Sequence, residues 1–305
     1  MTEHIPVLLA EILSFLQSRP KVGKVLDCTL GLGGYSEAVL EAFPKVQVWG
    51  LDQDDEAIRI ATDRLGAFDN RFHPIHGNFA EAAELAGNAA PFDAILFDLG
   101  VSNLQITEGY RGFSFQAAGP LDMRMNRRSA LTAESIVNNW TEKELSDIFW
   151  KYGEERYSRQ IARGILRYRE NTGKIETTGN LVAVIRETLP APVQRKMGGH
   201  PARKIFQALR IAVNDELTAL EQGLSGAFEL VSPGAAVAVV SYHSLEDRIV
   251  KQYFLEMQKE GRGTITTKRP LIPSDGEIER NYKARSAKLR LFVVTEPGKE
   301  AKKKW

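Results

Sequence analysis

The first hundred residues alternate two kinds of hydrophobic pattern. Short continuous apolar runs, Val25-Leu26, 46–51 and 92–97, are each followed by an aspartate: Asp27, Asp52 and Asp98. Such runs read as strands buried on both faces. Between them, 36–43 and 55–65 carry apolar residues at the three- and four-residue spacing of amphipathic helices. Strand–helix–strand repetition predicts a parallel sheet covered by helices on both faces. In such sheets ligands meet the carboxyl ends of the strands, which is where the three aspartates fall.

The pattern changes after Asp98. Residues 100–127 are rich in Gly, Ser, Asn, Gln and Arg with scattered aromatics, and read as a long functional loop. From 129 to about 203 the chain is helical and basic, with 142–150, 156–169 and 179–189 as the clearest helices and no strand between them. The mixed pattern resumes with one long helix over 204–230, a strand over 235–241, a helix to about 259, and strands near 263–267 and 289–294. The predicted organisation is one α/β domain, 1–127 and 204–305, interrupted by a small all-α domain at 128–203.

Composition narrows the classes. The 305 residues are 43% hydrophobic and 26% charged, as in a soluble globular protein. The longest apolar run, 234–240, is far short of the roughly 20 residues of a membrane helix. The start Met1-Thr2-Glu3 lacks the basic region of a signal peptide. No membrane partner is expected, and the cytoplasm is the expected compartment. Cys28 is the single cysteine, which excludes an internal disulfide and a multi-cysteine metal site. The five histidines show no ligand spacing, so no metal is expected. The net charge of +1 is a cancellation: residues 1–106 hold 7 Lys/Arg against 15 Asp/Glu, and residues 151–210 hold 13 against 5. An acidic half suits a cationic ligand, and a basic insertion suits a polyanion.

The stretch Val25-Leu26-Asp27-Cys28-Thr29-Leu30-Gly31-Leu32-Gly33-Gly34-Tyr35-Ser36 places a glycine-rich turn between a strand and a helix, where backbone can approach a ligand closely. Asp52, at the end of the next strand, is placed to accept ribose hydroxyls. Two cofactor classes share that geometry. A nicotinamide fold expects a third glycine three residues after Gly33, where this chain has Ser36. The spacing Asp27-x-x-x-Gly31-x-Gly33-Gly34 instead looks like the first motif of S-adenosylmethionine-dependent methyltransferases, with Asp27 facing the cofactor's ammonium. An oxidoreductase and a noncatalytic nucleic-acid-binding module are the competing classes. The first is disfavoured by the glycine spacing, the second by the acidic half.

Later motifs are more specific: Asp98-Leu99-Gly100-Val101-Ser102, Arg111-Gly112-Phe113-Ser114-Phe115, Pro120 to Met125, Tyr152-Gly153-Glu154-Glu155-Arg156, Phe206 to Asn214, Ser241 to Arg248 and Arg285 to Arg290. With His4-Ile5-Pro6-Val7-Leu8-Leu9 at the start, they make the chain resemble the bacterial RsmH/MraW family over nearly its whole length. The resemblance implies a Rossmann-like class I S-adenosylmethionine methyltransferase sheet with an inserted helical substrate-recognition domain. It implies N4-methylation of a cytosine in the decoding region of 16S ribosomal RNA, within the small subunit; a methyltransferase acting on a base amine of DNA or another RNA is the alternative. A homodimer stays open as the assembly.

Cofactor contacts implied by the resemblance and by the glycine motif are Asp27, Gly31, Gly33, Gly34, Tyr35, Asp52, Phe79, Asp98 and Gln105. Cys28, Tyr35 and Asn103 stand where the family usually has glycine, histidine and serine, and 201–206 replace a more threonine-rich version. A cytosine amine is a poor nucleophile, so acceptors must hold its lone pair toward the methyl group. Asp98, Ser102 and Asn103 are the candidates, with His243 facing substrate and Glu246 capping the helix that follows. The chain lacks the Pro-Pro-aromatic run common after that aspartate. Tyr110, Arg111, Phe113 and Phe115 are therefore the candidate substrate contacts, the aromatics by base stacking, and Arg163 and Arg167 by meeting phosphates.

Overall fold

The computed structural model describes residues 6–295, apart from the side chains of Asn103 and Lys283. His4, Ile5 and the Lys302-Lys303-Lys304 tract lie outside the described residues. The chain forms two compact units, 1–100 with 217–305, and 101–216.

The first unit is a seven-stranded sheet. Its strands are β1 (Lys24–Asp27), β2 (Gln47–Asp52), β3 (Phe72–His76), β4 (Phe92–Asp98), β5 (Val231–Ser241), β6 (Gly263–Ile265) and β7 (Lys288–Val294). They lie in the order β3-β2-β1-β4-β5-β7-β6. The first five run parallel, while β7 is antiparallel to both β5 and β6. This is the Rossmann-like arrangement, and its order reverses between β1 and β4, the point where such sheets bind ligands. Alternate residues feed two cores: Val25, Ala94 and Leu96 enter one, and Leu26, Ile95 and Phe97 the other. Burial on both faces is why the strands read as unbroken apolar runs. Helices Gly34–Ala42 and Asp55–Leu65 fall where the spacing places them.

The second unit has its own core, in which Ile136, Phe149, Ile165 and Leu209 are fully buried. Among the described residues its regular structure is helical, and an antiparallel bridge between Pro120 and Thr177 ties the loop before the helices to the helical part. It is wider than 128–203, because Leu121 and Met123 of the preceding loop are buried in the same cluster as the helices. The expected single helix over 204–230 is two, Arg203–Asn214 and Glu216–Glu229, broken at Asp215 in the left-handed region (φ +47°). Asn214 explains the break. Its side chain donates to the Met123 carbonyl (2.8 Å) and accepts from the Met125 N–H (2.8 Å), closing the helix onto the loop. Arg210 then spans the break with a bidentate pair to Glu216 at 2.8 Å.

That loop is braced rather than free. Arg124 pairs bidentately with Asp122 at 2.8 Å, and Arg111 donates to the carbonyls of Arg124 (3.1 Å) and Met125 (3.2 Å). Arg111 is 2% exposed. This corrects its expected role as an open substrate contact: the side chain is enclosed, with Nη2 donating to those two backbone carbonyls. Arg111→Leu leaves those buried acceptors without a donor and is expected to destabilise the protein by about 2–4 kcal/mol. Urea unfolding checks this, and an unchanged midpoint would show that the brace carries no load.

Candidate active site

Three carboxylates end β1, β2 and β4 on the same edge of the sheet. Asp27 is buried. Its Oδ2 accepts from the Ser36 hydroxyl (2.8 Å) and its Oδ1 from the Thr29 N–H (3.2 Å). Asp52 is half-buried and holds two turns at once: Oδ2 accepts from the Gly31 N–H (2.8 Å) and Oδ1 from the Asp54 N–H (2.9 Å). Asp98 is half-buried, with its backbone N–H donating to Thr29 Oγ1 (2.6 Å) and its Oδ1 accepting from the Tyr242 hydroxyl (2.7 Å). Among the described residues, no other group donates to the Asp98 carboxylate and no cation pairs with any of the three.

The electrostatic consequence is a set of acids held above the usual carboxylate range. Burial pushes Asp27 up to about 6 against the opposing hydrogen bonds of Ser36 and Thr29. Burial likewise raises Asp52 to about 6, partly offset by the Asp54 and Gly31 amides. Asp98 rises to about 7, again chiefly by burial; the Tyr242 hydrogen bond opposes the rise, and the charges of Asp27 and Glu246 add to it. Burial and the Asp98 charge push the Tyr242 phenol well above its ordinary value, so it remains a donor.

Between these acids lies the glycine turn. Gly31 and Gly33 are in the left-handed region, at φ +51° and +83°, which turns the chain from β1 into helix Gly34–Ala42. A Cβ at Gly33 would stand 3.1 Å from the Leu65 side chain. The residues present fit S-adenosylmethionine: uncompensated carboxylates match its sulfonium and ammonium, and the free N–H groups opening helix Gly34–Ala42 match its carboxylate. A cation bound there favours the ionised acids, so binding releases protons and weakens as pH falls below about 7. Cofactor affinity measured by calorimetry is expected to rise between about pH 5.5 and 8. The rise should be shallower for S-adenosylhomocysteine, which lacks the sulfonium charge; a flat profile for both would refute the electrostatic account.

Other sequence-predicted residues fall unevenly. Phe79 is half-buried, with its ring edge-on to Phe97 at 5.7 Å and lying over Gly223, where a Cβ would come within 2.6 Å of it. Gly34 opens the helix, but the Tyr35 side chain turns into the core and donates to the Val7 carbonyl, so only its backbone remains for a ligand. His243 does not project freely. It is the N-cap of helix Ser244–Lys259, its Nδ1 accepting from the Glu246 N–H (3.4 Å), while Glu246 Oε2 accepts from the N–H groups of Tyr242 (2.8 Å) and His243 (3.2 Å). Glu246 is therefore the expected cap, and Tyr242 is the residue that reaches the acid. The contacts of Thr29 and Tyr242 with Asp98 span 69 and 144 residues, so no local spacing marks them.

In the second unit, Ser102 caps helix Asn103–Thr107 and Gln105 answers it: Ser102 Oγ accepts from the Gln105 N–H (3.3 Å) and Gln105 Oε1 from the Ser102 N–H (3.1 Å). The Asn103 side chain lies outside the described residues. Tyr110 is 43% exposed, with the Arg127 guanidinium 5.7 Å from its ring centre. Phe113 and Phe115 instead pack on the helical core, and Phe115 stacks on His200 at 4.7 Å. Both rings stay half-buried, so each keeps part of its surface outside that core. Arg163 and Arg167 are exposed, Arg163 beside Glu142 at 3.2 Å. Arg169 is tied to the Trp140 and Val137 carbonyls.

The profile of the MraW methylase family matches residues 1–295. A relative from Symbiobacterium thermophilum named ribosomal RNA small subunit methyltransferase H is 44% identical over 98% of this chain and 99% of its own. Among solved structures, an rRNA methylase from Streptococcus thermophilus aligns at 10% identity with a TM-score of 0.45, covering 96% of this chain and 100% of that one. An S-adenosylmethionine-dependent O-methyltransferase from Thermotoga maritima aligns at 10% identity with a TM-score of 0.45, covering 98% of this chain and 70% of that one. From its sheet, its acid-lined glycine turn and a family match spanning nearly every residue, the chain belongs to the MraW methylase family of S-adenosylmethionine-dependent methyltransferases.

Proposed function

We propose that the protein methylates the N4 amine of a cytosine in the decoding region of 16S ribosomal RNA, acting in the cytoplasm on the small subunit. The observation that carries this reading is the 44% identity, end to end, with a relative named for small-subunit rRNA methylation. Asp27, Asp52, Phe79, the backbone of Gly31 to Tyr35, Asp98 and Gln105 would hold S-adenosylmethionine. When bound, the cofactor supplies a methyl group on a positively charged sulfur, open to in-line displacement.

The chain's own task is then alignment, which can contribute up to about 7–11 kcal/mol of barrier lowering. Asp98 accepts a hydrogen bond from the target amine, turns its lone pair out of conjugation and stabilises the charge that grows on nitrogen. Tyr242 holds one Asp98 oxygen and leaves the other for the amine. Ser102 and Asn103, two and three residues beyond Gly100, are the further candidates for positioning the base, and the 43% exposed Tyr110 is the candidate ring for stacking it. Such stacking is worth about 1–3 kcal/mol on a base already out of its stack.

The exposed Arg163 and Arg167 would meet phosphates. Their charge reversal to Glu is expected to weaken RNA binding and reduce its salt dependence while leaving cofactor affinity unchanged; equal loss of both would indicate misfolding. The deciding experiment incubates the protein and methyl-labelled cofactor with undermethylated small subunits, naked 16S RNA and DNA, then identifies modified nucleosides by mass spectrometry. N4-methylcytidine in the RNA samples is expected. Its absence from all of them overturns the reading, and label confined to DNA replaces it with the DNA alternative.

A further inference from the structure

We propose that a cavity at the amino edge of the sheet, opposite the acidic edge, binds phosphate groups of the RNA backbone, an inference that rests on the RNA-methyltransferase reading above. The cavity has a volume of about 480 Å³, and Lys21, Lys24, Lys45 and Arg71 line it with Asp93 and Pro91. Residues 1–106 hold only 7 Lys/Arg against 15 Asp/Glu, yet four of those seven cations converge on this one cavity.

Asp93 offsets only one of them. Its carboxylate already accepts from the N–H groups of Gly23 (2.8 Å) and Lys24 (3.1 Å), and its nearest cation is Lys21 at 3.6 Å. Lys24 Nζ donates to the Ala89 carbonyl (2.8 Å), and Arg71 donates to the carbonyls of Leu40 (3.0 Å) and Phe43 (3.4 Å). Those bonds fix the two charges in place without cancelling them. Among the described residues, no carboxylate pairs with Lys24, Lys45 or Arg71.

Fixed and mobile cations in a concave site suit phosphoryl oxygens. No aromatic side chain lines the cavity, so it has no platform for a base and would meet backbone without reading sequence. Asp93 and Asp98 lie on the same strand, five residues apart, or about 17 Å. That is the height of the sheet, a span short enough for one structured RNA, passing around the domain, to reach both edges.

The test is Lys21→Gln with Lys45→Gln, both at exposed side chains away from either core. Binding to a small-subunit rRNA fragment is titrated against salt, and binding of inorganic tripolyphosphate is measured by calorimetry, with folding and cofactor affinity as controls. Two lost phosphate contacts are expected to reduce the salt slope by about 1.4, making the loss of RNA affinity between 50 and 200 mM salt about sevenfold smaller than in the wild type. Unchanged RNA and tripolyphosphate binding overturns the site. Unchanged RNA binding with tripolyphosphate binding lost overturns the RNA assignment in favour of a free polyphosphate. Failure of the methylation reading is scored separately, by the wild-type protein's nucleoside products.

Discussion

Asp98→Asn is expected to lower kcat for methyl transfer by about 10²- to 10⁴-fold while changing cofactor affinity by less than about tenfold. The asparagine keeps the shape but loses the charge that stabilises a developing cation on the amine, and its NH₂ can face the donor hydroxyl of Tyr242. A fall in affinity matching the fall in kcat would instead make Asp98 a cofactor ligand alone. The pH dependence adds an independent readout. In the free protein Asp98 ionises at about 7, with Tyr242 holding it down by its hydrogen bond. The ionised acid is the acceptor, so kcat/KM for the cofactor, which reports the free enzyme, should rise through that region as pH rises. Tyr242→Phe removes the bond that favours the ionised form, so its profile should shift to higher pH with a smaller loss of rate than Asp98→Asn. A wild-type profile in the phenylalanine variant would mean that Tyr242 only packs against Gly100.

What could be read in advance follows the range of each interaction. Strands β1, β2 and β4 announce themselves because burial on two faces demands an unbroken apolar run, and the aspartate that ends each run marks where burial gives way to the ligand edge. The direction of β7 was not legible, since Leu289 to Val294 would pack equally well either way round; its pairing with β5 decides it. The helix break at Asp215 is hidden for a related reason: the apolar spacing continues across it, and the cause is an Asn214 side chain bonded to Met123 and Met125, about ninety residues away. Arg111 resembles a surface arginine among exposed aromatics until the carbonyls thirteen and fourteen residues along the chain enclose it. Tyr242 reaches a partner 144 residues distant, while the imidazole beside it is the more reactive-looking side chain in the sequence. Local rules therefore located the acids and glycines, while the side chains that orient them depend on contacts only the folded chain makes.

Asp52 should give the largest effect on cofactor binding. Asp52→Ala removes the acceptor of the Gly31 and Asp54 amides together with the group placed to meet the ribose. Hydrogen bonds to a charged group are worth about 1.5–3 kcal/mol each, so affinity for S-adenosylmethionine is expected to fall at least about 100-fold. Asp52→Asn, which retains a single carbonyl acceptor, should fall between alanine and wild type. Stability should behave differently from affinity. The folded protein raises Asp52 from 3.8 to about 6, so the folded state binds this proton more tightly than the unfolded chain does. Its ionised form therefore costs stability, fully above about pH 6 and progressively less as pH falls toward 4. Without cofactor, wild-type stability should consequently gain from this group on acidification across that window, and the gain should be missing from Asp52→Asn. Urea midpoints of the cofactor-free proteins at about pH 7.5 and pH 5 measure it. Parallel shifts in the two proteins would show that the carboxylate is not held above its ordinary range. A loss of affinity matched by an equal loss of stability at pH 7.5 would show that Asp52 supports the fold rather than the cofactor.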